Sequence, residues 1–154
     1  MVRKYTEKKL SGFSLFELLI TMGVLMLITL IVFPLAIQKT QASKLESYAS
    51  QIATDIYFQQ QRSSFKKFDG GVYLETNSYV LFDGQSFEQA TEIDTKRYPS
   101  NVSISSISPT LGQEILFLDG QFQSTTYGFF VISDGVNRIR VHINQEGLID
   151  YEKI

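Results

Sequence analysis

The chain has 154 residues, with 14 Lys and Arg against 16 Asp and Glu, one His and no Cys, for a formal net charge of −2. That length accommodates one anchor and one domain of about 100 residues built on a single core. Without cysteine neither a disulfide framework nor a thiolate metal site can form, and the faintly acidic balance argues against bulk electrostatic binding of nucleic acid.

Residues 1–12 are basic, with Arg3, Lys4, Lys8 and Lys9 against Glu7 alone. Without them ten Lys and Arg face fifteen Asp and Glu, a net of −5. From Phe13 to Phe33 the only charge is Glu17. At helical rise this run spans about 30 Å, enough to cross a hydrocarbon core. The positive-inside rule keeps the basic stretch in the cytoplasm and sends residues after Pro34 to the far side. A carboxylate in such a helix is expensive, on the order of 2.5–3.5 kcal/mol at the helix centre. The segment holds no Lys, Arg or His to pair with it, so Glu17 either snorkels to the headgroups or takes a partner from outside. The run is also longer than the apolar region of a cleaved secretory signal, about 7–15 residues, and Thr40-Gln41-Ala42 imitates its cleavage site poorly.

Pro34 removes one backbone donor and should bend the helix rather than end it. From Gln38 to Phe65 there is no Gly or Pro. Leu45, Tyr48, Ala49, Ile52 and Ile56 recur at three- and four-residue steps, which predicts an amphipathic helix packed on its own sheet. Lys44, Glu46, Ser47, Gln51 and Asp55 form the opposite face and read as solvated or subunit-facing. Asp69-Gly70-Gly71 supplies the stop.

The remainder alternates as strands: Val72 to Glu75, Tyr79 to Asp83, Val102 to Ile107, Glu114 to Leu118, Phe129 to Ser133, Arg138 to Ile143 and Leu148 to Tyr151. Asp83-Gly84, Asp119-Gly120 and Asp134-Gly135 mark tight turns. Residues 84–101 are polar and irregular and read as a surface loop. The numerous Tyr and Phe residues of this part read as core and sheet-face residues. The expected fold is α+β, a long N-terminal helix packed on an antiparallel β-sheet or small β-sandwich. Period-two alternation places Arg138, Arg140 and His142 on one strand face, an exposed face or a small basic interaction patch. His142 is the only histidine. No nucleophile-elbow sequence accompanies it, and no Gly-rich phosphate loop occurs. No catalytic residue, metal site or cofactor is therefore assigned.

Gly12-Phe13-Ser14-Leu15-Phe16-Glu17-Leu18-Leu19-Ile20 resembles the class III leader junction of type IV pilins and pseudopilins. The resemblance implies that a prepilin peptidase cuts after Gly12 on the cytoplasmic side and methylates the new Phe13 amine. Glu17 matches the family's membrane glutamate, Pro34 its helix-kinking proline, and the basic leader fits as well. Cleavage would create an ammonium group that Glu17 of a neighbouring subunit can pair with, which could specify axial register. Glycine at the cut admits close backbone approach by a protease.

Ala49 to Ile56 followed by Gln59-Gln60-Gln61 is similar to the helix end of competence-pilus minor pseudopilins of Gram-positive bacteria. Ile115 to Gly120 and Gly128 to Ile149 resemble the sandwich-type minor pseudopilin of type II secretion. The absence of cysteine, the aromatic strands and the Gln run favour the competence system, and Glu17 argues against the tip-initiating subunit that lacks it. On this resemblance residues 1–12 are a cleaved leader, 13–34 the transmembrane and assembly half of the helix, 35–68 its amphipathic half and 69–154 the β domain. The implied partners are the prepilin peptidase, the major and other minor pseudopilins, a polytopic membrane platform protein and, indirectly, an assembly ATPase. Direct DNA binding is not expected from the acidic exterior. The alternatives are a type II secretion piston subunit and a signal-anchored extracytoplasmic binding domain that never polymerises.

Overall fold

The computed structural model describes residues 12–66 and 68–154. The basic leader expected at residues 1–12 lies, but for Gly12, outside the described residues. The chain forms two compact units, one ending at Thr40 and one running from Gln41 to Ile154. A single helix, α1 (Leu15–Lys66), contributes to both and runs through Pro34 without ending there.

In the first unit the apolar side chains of α1 are exposed, among them Leu18, Leu25, Ile28 and Phe33. The helix is long and apolar enough to cross a membrane. Its hydroxyls are satisfied internally: Thr21 donates to the Leu18 carbonyl at 2.9 Å and Thr29 to that of Leu25 at 2.8 Å. That matters where no water can serve them.

In the second unit α1 meets eight strands: β1 (Gly70–Leu74), β2 (Ser78–Asp83), β3 (Glu92–Arg97), β4 (Ser103–Ile107), β5 (Glu114–Phe117), β6 (Gly128–Ser133), β7 (Arg138–Ile143) and β8 (Ile149–Lys153). They form two antiparallel four-stranded sheets in the orders β3-β2-β1-β5 and β4-β6-β7-β8. The helix packs on both, which realises the expected α+β architecture in its two-sheet form. Leu45, Ala49, Ile52 and Ile56 of the apolar stripe are buried against Val72, Leu81 and Ile115 of the first sheet and Phe130, Ile139 and Val141 of the second. Each fully buried aliphatic side chain of this kind contributes about 1.5–3 kcal/mol.

Residues 84–101 depart from the loop expected there. They hold a 3-10 turn (Phe87–Gln89) and the edge strand β3. Glu-Ile-Asp-Thr-Lys-Arg carries no apolar alternation, because both faces of this edge are largely exposed and only backbone pairing to β2 holds it. The 3-10 turn has a packing role. The Phe87 ring stacks on Tyr73 at 4.3 Å and meets Phe82 edge-on at 5.9 Å, covering the outer face of the first sheet. Phe82 in turn lies over its cross-strand partner Gly71, where a Cβ would strike its ring.

The polar face of the helix is less free than expected. Asp55 is half-buried and accepts a 2.5 Å hydrogen bond from the Tyr79 hydroxyl, whose pKa burial and this bond both push up. Glu46 pairs with Lys153 of β8 at 2.6 Å.

The end of α1 is clamped to both sheets. Gln59 Nε2 donates to the Phe82 carbonyl at 2.7 Å and to Asp83 Oδ1 at 2.9 Å. Gln60 Nε2 donates to the carbonyls of Phe122 at 2.5 Å and Gly147 at 2.8 Å. Arg62 bridges to Asp83 at 2.8 Å, its guanidinium lying near the Phe58 and Phe68 rings. Gln60→Glu keeps the shape but turns oxygens toward two carbonyl oxygens. It should lower unfolding stability by about 2–4 kcal/mol at neutral pH. Part of the loss should return on acidification, when the protonated acid can donate again. Denaturant titration at two pH values measures this, and an unchanged midpoint would contradict the clamp.

Candidate functional site

The residues singled out from the sequence fall in two groups, one in each compact unit. At the start of the first unit Gly12 and Phe13 are exposed and not helical. Ser14 closes the first helical hydrogen bond through its carbonyl to Leu18 N at 3.1 Å, and its Oγ accepts a long bond from Phe16 N at 3.4 Å. It is the cap of α1. Glu17, the third helical residue, sits in the first turn, where the helix dipole favours a negative charge. The pattern Ser14-x-x-Glu17 is a capping-box signal legible in the sequence. The consequence is local: the Gly12–Phe13 peptide lies just before the cap, in exposed, non-helical backbone. The Glu17 carboxylate is exposed and takes no hydrogen bond or ion pair from the described residues. Pro34 lies inside the helix, in the same unit.

The second group is brought together on β7. Burial alternates along it, with Ile139, Val141 and Ile143 inward and Arg138, Arg140 and His142 outward. The three outward residues are not equivalent. Arg140 donates to Glu152 of β8 at 2.9 Å and its guanidinium lies 4.9 Å from the Phe129 ring centre. His142 is flanked in register by Phe129 and Asp150. Acidic β8 residues therefore offset much of the basic character expected of this face. Arg138, at the start of the strand, is exposed and makes no ion pair among the described residues.

A groove of about 410 Å³ lies between the end of β1 and the edge strand β4, lined by Glu75, Ser105, Ser106, Ser108 and Gln113 among others. Its serines have no histidine beside them, since His142 projects from β7. No group of three His, Asp or Glu side chains suited to a metal ion occurs among the described residues. Gln59 and Gln60, which mark a family resemblance in the sequence, are here buried structural donors. A polar pair at the end of an apolar stripe was the available signal for that role.

No protein-family model, curated protein or solved structure matches the chain.

The two arginines of β7 should separate in a thermal melt. Arg140→Ala removes an ion pair and a cation–π contact and should cost about 1 kcal/mol. Arg138→Ala should stay within about 0.5 kcal/mol of the parent. Equal losses would refute the distinction.

Proposed function

We propose that this chain is a minor pseudopilin, a structural subunit of a type IV pilus-like competence filament that serves DNA uptake during transformation, and not an enzyme. The observation that carries the reading is the order of parts at the helix start. An exposed Gly12–Phe13 peptide precedes a capped helix whose first turn holds Glu17, and that helix is long and apolar enough to span a membrane.

The mechanism follows from charge. Before cleavage residue 13 carries no free amine, and among the described residues Glu17 has no counter-charge at the helix start. Hydrolysis after Gly12 places an ammonium group on Phe13, four residues from the carboxylate. Pairing Glu17 of one subunit with the Phe13 amine of the next neutralises both charges in a low-dielectric setting, where their attraction is strong. A mismatched register leaves two unpaired charges, so the pair specifies position as much as affinity. Methylation of the amine keeps its charge. The prepilin peptidase, major and other minor pseudopilins, a membrane platform protein and an assembly ATPase are the partners this reading requires. A second reading, a type II secretion piston subunit, is favoured by the two-sheet body, the feature shared with the sandwich-type subunit of that system.

Mass spectrometry of the native N-terminus should find N-methylated Phe13, whereas an intact Met1 would favour a plain signal anchor. Gly12→Trp should leave a longer, membrane-retained product and abolish transformation. A processed and active variant would sink the reading. Glu17→Ala should be processed normally yet enter filaments at least about tenfold less, as expected for losing more than 1.4 kcal/mol of pairing. Normal incorporation, read by immunoblot of sheared filaments, would remove the register argument.

A further inference from the structure

The compact unit from Gln41 to Ile154 carries an apolar knob at one end and an apolar hole at the other. The knob is Val136, 81% exposed at the tip of the β6–β7 hairpin. Its turn is rigid. Asp134 Oδ1 accepts from Val136 N at 3.0 Å and Asn137 N at 2.7 Å, and Asp134 Oδ2 accepts from Asn137 Nδ2 at 2.9 Å. Ser133 Oγ accepts from Gly135 N at 3.1 Å and donates to the Asn137 carbonyl at 3.1 Å. Burial alone would raise the Asp134 carboxyl, but these donors outweigh it and hold the group below the usual carboxylate range. A β-branched apolar side chain is thus held out into solvent on a turn with little freedom left to lose.

The hole lies at the opposite end of β7, at the β7–β8 turn. Tyr57, Gln60, Phe122, Gly147 and Leu148 line a cavity of about 280 Å³ that is mostly apolar, with Glu146 on its rim. Tyr57, Phe122 and Leu148 are 52%, 45% and 65% exposed, so the apolar walls face outward. The floor too is fixed by hydrogen bonds. Gln60 donates to the Gly147 carbonyl, and Leu148 N donates to Asn144 Oδ1 at 2.7 Å. Gly147 has a φ of +83°, and a Cβ on it would fall 2.5 Å from Gln60 Nε2.

Charge assigns the occupant. Beside the knob stands Arg138, exposed and unpaired among the described residues, and beside the hole stands Glu146, in the same condition. Two complementary patches on one molecule, at opposite ends, describe a heterologous contact that does not close on itself. The β7 direction joining them runs alongside α1. Asp134 shares a surface recess with Gln41 and Leu45, where the chain enters the domain, and Gly147 is bonded to Gln60 near the helix end. We propose that Val136 of one copy of this chain seats in the Tyr57–Phe122–Leu148 cavity of the next copy, with Arg138 facing Glu146, so that the domains stack head to tail along α1. As a contact within a filament this rests on the pseudopilin reading, but the knob and hole themselves do not.

The cysteine-free chain allows a direct test. The full chain in membranes, carrying Val136→Cys and Leu148→Cys together, should give a disulfide ladder of dimers, trimers and larger species under mild oxidation. The two positions lie at opposite ends of a six-residue strand. At about 20 Å apart they are too distant to bridge within one chain. Mixing the two single variants should give dimers and nothing larger. Arg138→Glu should reduce the ladder severalfold, and adding Glu146→Arg should restore it. Val136→Asp in the wild-type cavity should cut cross-linking between a second pair, Arg138→Cys and Glu146→Cys, about tenfold, as expected for losing one buried apolar side chain. The substituted residues Val136, Arg138, Glu146 and Leu148 are exposed, and unchanged melts would verify the fold. A well-folded double variant that gives no ladder, or single variants that give as much product as the pair, would overturn the proposal. A ladder from chains with an intact Met1 would keep the contact and remove its filament setting. N-methylated Phe13 without a ladder would do the reverse.

Discussion

Two neighbouring glutamines hold this domain together in a way that no apolar contact could. Side chains one residue apart on a helix point about 100° away from each other, and here one reaches the end of β2 while the other reaches the β7–β8 turn and Phe122. Each amide nitrogen serves two acceptors. The apolar stripe of α1 supplies the larger stabilisation, but it is non-directional and would tolerate the sheets sliding along the helix. Directional bonds at the helix end fix where along α1 each sheet sits. The positions of β7, its turns and its outward residues are set by that constraint.

The same helix meets two different physical problems. Up to Thr40 it exposes apolar side chains and keeps its threonine hydroxyls bonded to its own backbone, as a lipid-facing segment must. From Leu45 onward it buries one stripe and sends polar side chains to the strands. Glu17 is at odds with the first setting, and in the proposed assembly that mismatch is relieved only by a second subunit. In that proposal an acid that is unfavourable in the isolated chain is better satisfied once a second subunit pairs with it.

Much of this was legible in the sequence, and the misses have physical causes. Period-three-and-four spacing marks Leu45, Ala49, Ile52 and Ile56, which are buried, and Tyr48, which is partly buried against the same core. Period-two alternation marked β7 with its observed limits, Arg138–Ile143. Asp-Gly steps marked turns at Gly84, Gly120 and Gly135, all at positive φ. Strand β3 was missed because pattern reading detects burial, and an edge strand held by its backbone buries little. Asp55 reads as solvated or subunit-facing in the sequence because a carboxylate on a polar helix face ordinarily belongs there. Only the tertiary approach of Tyr79, 24 residues away, changes its environment. At the helix start glycine, glutamate and proline form a visible pattern, and Ser14-x-x-Glu17 signals the cap that the structure places after Gly12 and Phe13.

The charged edges of the two sheets have a consequence wherever copies of the domain crowd together. Unpaired strand edges that face one another can pair and merge sheets. Glu92, Asp94, Lys96 and Arg97 on β3 and Asp150, Glu152 and Lys153 on β8 guard two of those edges. Charged side chains on these two edges disfavour such merger between copies.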